Sequence, residues 1–312
     1  MERPSIRQLE CVVAVADHGS FRRAAAAVGI SQPALSAQIQ TIEGVLGVQL
    51  FERDRRSVLV TPAGADVIER ARAALAAVDG VRDAARRRSE PLVGSLRFGV
   101  IPTVAPYWLP ALLPEVRRRF PRLELILRED QTARLLAQLG EGKLDVALVA
   151  LPVPGDLTTA AIAKEEFVLA APRGAAILKK AGKLVDADLD HQTVLLLEDG
   201  HCLRDQALAV CARGGAVEAV EVRATSLPTL EQMVAGGMGV TLLPEAAAAS
   251  LVVAKGPVET ARFRAPAPGR TLGLAWRTSS ARLREFRLLA EVMSGEGGKL
   301  LARLRKGDAA RR

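Results

Sequence analysis

Cysteine is scarce in this sequence: three residues in 312, too few for a disulfide framework. Histidine is equally scarce, again three residues, and no cluster of them suggests a metal site. No apolar run reaches the roughly 18 residues that a membrane span needs. The opening residues Met1-Glu2-Arg3-Pro4-Ser5 lack the apolar core of an export signal. The expectation is therefore a cytoplasmic protein without a membrane partner. In that reducing compartment a disulfide is a transient signal rather than a permanent staple. Aromatic residues make up only 3% of the chain while apolar residues make up 49%, so the core must be built from Ala, Leu and Val.

What is present is length and positive charge. At 312 residues the chain suggests two or three domains. A net charge of +8 fits a polyanionic partner without identifying one. The basic residues are spread out, and the densest run is the tail over 299–312. That tail is expected to be solvated and partly disordered, with nucleic-acid contact as the alternative.

Residues 1–60 read as three helices and a hairpin. Ser5 caps a first helix with the apolar stripe Leu9, Val12, Val13, Ala16. Cys11 falls within this helix, where a packing role is expected. Gly19 ends the helix, Ser20 caps an alanine-rich second helix over 21–28, and Gly29 supplies a turn. Ser31 precedes a third helix with Pro33 in its first turn, where a missing N–H costs nothing. Its buried stripe is Leu35, Ile39, Ile42 and Leu46.

Short helix, glycine turn and Ser-Gln-Pro helix form a helix-turn-helix pattern. The third helix would present Ser31, Gln32, Pro33, Ser36 and Gln38 to the major groove, where glutamine amides can pair with adenine. The hairpin that follows would carry Arg53, Arg55 and Arg56 to phosphates or the minor groove. A small helical bundle with solvated arginines remains the competing reading. Thr61-Pro62 opens a long helix to about residue 88, with a seam of Ile68, Ala71, Leu75 and Val78. That seam suits pairing with a second copy, or packing on its own domain.

Taken as a set, Ser20-Phe21, Ser31-Gln32-Pro33-Ala34-Leu35-Ser36, Leu50-Phe51-Glu52-Arg53 and Thr61-Pro62-Ala63-Gly64 resemble the winged helix-turn-helix of LysR-type transcriptional regulators.

Beyond a hinge at Pro91-Leu92-Val93-Gly94-Ser95, strands alternate with helices. Apolar runs at 96–100, 123–127 and 144–150 lead into loops holding Thr103 and Thr132. A parallel α/β sheet follows from this alternation, with ligand loops at the strand C-termini. A second α/β unit over 164–263 carries the strands Phe167-Val168-Leu169-Ala170 and Thr241-Leu242-Leu243-Pro244, and a strand over 271–276 returns to the first unit. With the resemblance, the fold class is α+β multidomain. It comprises a winged helix-turn-helix over 1–60, a linker and dimerisation helix over 61–90, a two-lobed regulatory domain like the periplasmic binding proteins over 91–301, and the basic tail over 302–312. Lobe I spans about 91–163 and 266–301, and lobe II about 164–265.

The densest chemistry lies in Gly200-His201-Cys202-Leu203-Arg204-Asp205-Gln206, just after the apolar run 193–197. A thiol at a helix N-terminus beside cationic groups is expected to be reactive. Arg204 and Asp205 are its expected surroundings. Cys211 follows nine positions later. In a continuous helix that spacing means about 13 Å along the axis and roughly half a turn around it. A disulfide needs Cα atoms within about 7 Å, so the pair can join only if the helix unwinds. Inert core thiols, or a weak metal site of His201, Cys202 and Cys211, are the alternatives. His18 and His191 read as surface or loop residues.

More narrowly, the chain is similar to the peroxide-sensing members of the LysR family. The matching segments include Ile101-Pro102-Thr103-Val104, Gln131-Thr132, Gly142-Lys143-Leu144-Asp145, the Cys202 segment and Arg223-Ala224-Thr225-Ser226-Leu227. The resemblance implies that Cys202 is the peroxidatic thiol and Cys211 the resolving thiol. It places Thr103, Thr132, His201 and Arg270 around the peroxide. It implies a regulator rather than an enzyme, with no cofactor and no metal. The implied partners are double-stranded operator DNA, hydrogen peroxide, further copies in a homodimer or homotetramer, RNA polymerase, and a thiol reductant of glutaredoxin or thioredoxin type. Two other functions compete: a LysR regulator gated by a small metabolite, and a thiol enzyme using Cys202 and His201. The second lacks an oxyanion-hole motif.

Overall fold

Serine caps and left-handed glycines punctuate the N-terminal unit. The computed structural model describes residues 3–53, 58–86 and 91–310. Ser5, Ser20 and Ser31 each accept a hydrogen bond from the backbone N–H three residues on. They start α1 (Ile6–His18), α2 (Phe21–Val28) and α3 (Gln32–Leu46). Each side-chain cap satisfies an N–H that the helix leaves orphaned. Strands β1 (Phe51–Arg53) and β2 (Val58–Val60) pair antiparallel as the wing. The long helix α4 (Pro62–Arg86) follows.

The core of this unit is Cys11, Val12, Val15, Ala24, Ala25, Leu35, Ile39, Ile42, Leu50, Phe51 and Ile68. The stripe of α1 is thus turned from the expected one. Cys11, Val12 and Val15 are buried, whereas Leu9, Val13 and Ala16 are only partly so. Both stripes share Val12, and the face that wins is the one opposite Ala24 and Leu35 in the same core. Along α4, Ile68 and Ala71 are buried, Leu75 and Val78 half-buried and Val81 70% exposed.

Two compact units are present, one of residues 1–89 and 140–143 and one of residues 90–139 and 144–312. The second begins with β3 (Gly94–Val100), α5 (Ala105–Arg119), β4 (Leu123–Glu129), α6 (Thr132–Gly140) and β5 (Val146–Leu151). Next comes β6 (Leu157–Pro172), then β7 (Thr193–Leu197), α7 (Cys202–Gly214), β8 (Val217–Ala224) and α8 (Leu227–Ala235). Strand β9 (Thr241–Pro244), α9 (Glu245–Leu251), β10 (Val258–Arg262), β11 (Gly269–Arg277) and α10 (Leu283–Ala310) complete it. One core gathers around Phe98, Trp108, Leu148, Trp276 and Phe286, the other around Phe167, Leu195, Leu230 and Leu243.

The main sheet is mixed, which corrects the expected parallel one. Strands β3, β4 and β5 run parallel, but β11 pairs antiparallel with both β5 and β6, and β6 pairs antiparallel with β9 and β10. The reason is topological. The chain crosses to the second lobe along β6 and returns along β11, so the two crossing strands must run in opposite directions. The basic tail is a second correction: 302–310 continue α10 instead of forming a loose segment. Arg305 donates to both carboxylate oxygens of Glu245 at the start of α9. Burial alone would raise the Glu245 carboxyl, but Arg305, the Glu166 amide and Arg262 together hold it below its usual value. Among the described residues no helix is long and apolar enough to cross a membrane.

Gly64 lies where the first turn of α4 meets the strand entry: a Cβ there would stand 2.2 Å from the Leu50 carbonyl oxygen. That carbonyl also accepts from Thr61 N–H, so it cannot withdraw without losing a bond. Gly64→Ala is expected to destabilise the N-terminal unit by about 1–3 kcal/mol, read as a lower urea midpoint. An unchanged midpoint would show that the turn is soft.

Candidate functional site

Three strand-to-helix junctions converge in the second unit. The β3–α5 turn brings Ile101, Pro102 and Thr103, the β4–α6 junction brings Gln131 and Thr132, and the β7–α7 junction brings Gly200, His201 and Cys202. Together they line a small pocket holding about 170 Å³ of non-atom space. All three junctions follow strands at their C-terminal ends, where α/β sheets offer crevices.

Cys202 is the first residue of α7 and His201 its N-cap. The helix starts without a side-chain cap; the Arg204 N–H is taken by the His201 carbonyl, which leaves the N–H groups of Cys202 and Leu203 beside the sulfur. His201 is buried, with Nε2 4.0 Å from a Glu198 carboxylate oxygen, too far for a hydrogen bond. Gly200 has φ +93°, and a Cβ there would meet the Gln131 side-chain amide at 2.7 Å. Only glycine fits both the backbone and the contact.

The two threonines differ in their surroundings. The Thr103 hydroxyl accepts a hydrogen bond from Arg270 Nη1 at 2.8 Å, and its carbonyl accepts from Nη2 at 3.0 Å. The Thr132 hydroxyl is buried and has no hydrogen-bond partner among the described residues. An unpaired buried hydroxyl costs about 1–3 kcal/mol, so a polar guest in the pocket would relieve it.

Arg204 does not join this group. Its Nε donates to Asp199, Nη1 to the Leu197 carbonyl and Nη2 to Glu218. Among the described residues no hydrogen bond runs from its side chain to Cys202. The expected cation beside the thiol is therefore a clamp between the first turn of α7, the preceding loop and β8. The adjacent carboxylates consume its donors, which the spacing in sequence concealed. Asp205 is exposed in the first turn of α7.

All three cysteines are free thiols. Cys202 packs against the first-lobe core, whereas Cys211 is buried within the second-lobe core. The helix between them is continuous, so their side chains leave it on opposite faces. Burial pushes the Cys211 thiol above its ordinary pKa, and Glu218 and Asp186 add to the rise. Desolvation does the same to Cys11, against Arg7.

In the N-terminal unit Ser31, Gln32 and Pro33 are exposed at the start of α3, while Ser36 and Gln38 are half-buried. Ser31 Oγ is already engaged as the helix cap. Arg53 belongs to β1, and Arg55 and Arg56 lie outside the described residues. Sequence reasoning did not single out Glu165, Asp199, Gln131 or Gly200 as site residues. Glu165 stood in a polar stretch, Lys164-Glu165-Glu166, that read as the start of a unit. Its position opposite Arg270 in the β6–β11 register is the signal that would have found it.

Residues 6–65 match the bacterial regulatory helix-turn-helix protein family of LysR type, and residues 89–297 match the LysR substrate binding domain. The chain is 46% identical over 294 residues to a probable hydrogen peroxide-inducible genes activator of Streptomyces viridosporus, covering 93% of this chain and 94% of that protein. It is 42% identical over 301 residues to the DNA-binding transcriptional dual regulator OxyR of Escherichia coli, covering 95% and 98%. A solved full-length OxyR variant from Pseudomonas aeruginosa has a TM-score of 0.79 at 33% identity, covering 94% of this chain and 98% of that one. A hydrogen peroxide-bound OxyR mutant from Corynebacterium glutamicum gives 0.66 at 36% identity, covering 99% of each. The chain therefore belongs to the LysR family of bacterial transcription regulators and, within it, to the OxyR group of hydrogen peroxide-inducible gene activators.

Proposed function

We propose that this protein binds operator DNA through its N-terminal unit and reads hydrogen peroxide through Cys202, with Cys211 as resolving thiol. The observation that carries the reading is the small pocket in which Cys202 meets the Arg270-bound Thr103 hydroxyl and a buried Thr132 hydroxyl that has no partner among the described residues.

The Cys202 thiolate attacks one peroxide oxygen, an S–O bond forms and the O–O bond breaks. The sulfur is oxidised by two electrons, and the departing hydroxide takes a proton and leaves as water. Thr103 and Thr132 orient the two oxygens, a positioning contribution. The sulfenic acid then condenses with the Cys211 thiol, releasing water and forming the disulfide. Cys211 is out of reach and desolvated while α7 is intact, so this second step requires α7 to unwind and the Arg204 clamp to release. Unwinding also returns Cys211 to water and lowers its pKa toward the ordinary thiol value. The refolded segment would alter contacts between copies paired along the 61–90 helix in a homodimer or homotetramer. In that way it would change how the α3 helices sit on two half-sites and how RNA polymerase is engaged. A dithiol reductant of glutaredoxin or thioredoxin type would restore the reduced form.

Peroxide below one equivalent is expected to remove two free thiols per oxidised wild-type chain and leave Cys11 intact. Cys202→Ser is expected to lose none, and Cys211→Ser to stop at a dimedone-reactive sulfenic acid. Thiol loss in Cys202→Ser at the wild-type rate would sink the sensor reading. Thr132→Val is expected to slow oxidation by roughly ten- to a hundredfold without abolishing it, measured by stopped-flow thiol loss. An unaltered rate removes Thr132 from the mechanism. Hydrogen exchange across 202–214 is expected to accelerate on oxidation, and full protection there would contradict the unwinding step.

A further inference from the structure

Strand register brings two opposite charges into the buried centre of the second unit. Arg270 on β11 stands directly opposite Glu165 on β6. Both side chains are completely buried, and Arg270 Nε lies 2.9 Å from Glu165 Oε2. The other carboxylate oxygen accepts from Trp108 Nε1 at 3.1 Å and from the Ala246 N–H at 3.2 Å. The carboxylate is thus fixed from α5, α9 and β11 at once and has no freedom to reorient. A buried ion pair held this way does little for net stability, but it is a rigid mount for a guanidinium.

We propose that Glu165 is a positioning residue for peroxide cleavage, acting through Arg270 on the Thr103 hydroxyl. Arg270 Nη1 donates to Thr103 Oγ1, and a guanidinium offers no acceptor in return. The single hydroxyl hydrogen of Thr103 must therefore point elsewhere. Among the described residues the hydroxyl has no other hydrogen-bond partner, and it lines the Cys202 pocket. Held so, Thr103 is a donor aimed at the oxygen that leaves as the O–O bond breaks. The bond from Arg270 polarises the hydroxyl and strengthens that donation. Glu165 sets the direction by holding the Nε and Nη2 edge of the guanidinium, which leaves Nη1 on the Thr103 hydroxyl. Thr132, without such a partner, is free to donate or accept and carries no fixed polarity.

This inference rests on the proposed role of Cys202. Its test uses the full chain and two reagents for the same thiol: hydrogen peroxide, whose leaving hydroxide needs a donor, and iodoacetamide, whose iodide does not. Glu165→Gln is expected to lower the peroxide rate about tenfold or more, part of the roughly 10²–10³ lost when an oriented donor is removed outright. The iodoacetamide rate is expected to stay within about twofold. In a Thr103→Val background, Glu165→Gln is expected to add no further loss, because the two residues act in series. Trp108→Phe removes one bond to the carboxylate while keeping a ring in the core, and is expected to show the same reagent selectivity more weakly. It serves if Glu165→Gln does not fold. An equal fall with both reagents, an unchanged or faster peroxide rate, or losses that multiply with Thr103→Val would overturn the proposal. A wild-type Cys202 inert to peroxide would instead overturn the sensor reading on which it stands.

Discussion

The separation of two thiols by an unbroken helix is the constraint on which this molecule turns. Nine residues of α7 set Cys202 against the first-lobe core and Cys211 inside the second. Neither can approach the other by side-chain rotation, since the helix lies between them. The helix is also held at both ends. Arg204 binds Asp199, Leu197 and Glu218 near its start, and Arg213 binds Asp186 near its finish. Gly214 packs on the Asp186 carbonyl so closely that a Cβ there would stand 2.2 Å away. On the proposed reading, a covalent bond worth far more than these contacts competes with them, and the element has two packings rather than a continuum.

The pocket depends on a different element, the pair of crossing strands. Strands β6 and β11 hand the chain from one lobe to the other and back, and their register fixes Glu165 opposite Arg270. From that pair the fixed geometry spreads outward to Trp108, Ala246 and Thr103. The thiol sits on the second lobe and the threonines on the first, so a pocket built from both needs the lobes held in one relation. The buried ion pair lies on the strands that set it. A second tie runs from the end of α10, where Arg305 grips Glu245 beside the same strand.

Much of the fold was legible because its signals are local. Ser5, Ser20 and Ser31 announce helix starts by a hydrogen bond within four residues, and the glycines that follow each helix supply the left-handed turn. The strand runs before Thr103 and Cys202 were equally readable, because a buried strand is a continuous apolar run, whereas β4, before Thr132, lies at the sheet edge and is mostly exposed. The failures were of longer range. The stripe of α1 was turned because its apolar residues cover more than one face, and only the partners in the core choose among them. The parallel sheet was expected because alternating strands and helices do not reveal which strand is a return crossing. Arg204 read as a cation for the thiol because it is two residues away in sequence, yet its donors are taken by Asp199 and by Glu218, fourteen positions on.

The sequence by itself determined the helix starts and turns, the thiol at the head of α7 and the nine-residue spacing to its partner. It also determined the hydroxyl residues at the ends of β3 and β4. These follow from bonds and periodicities that span a few residues. Tertiary structure decided what those residues face: which core each thiol enters, that Arg270 bonds Thr103, and that Glu165 holds Arg270. Such facts depend on strand register between positions 105 residues apart. No local pattern encodes that register, because it is set by the collective packing of both lobes.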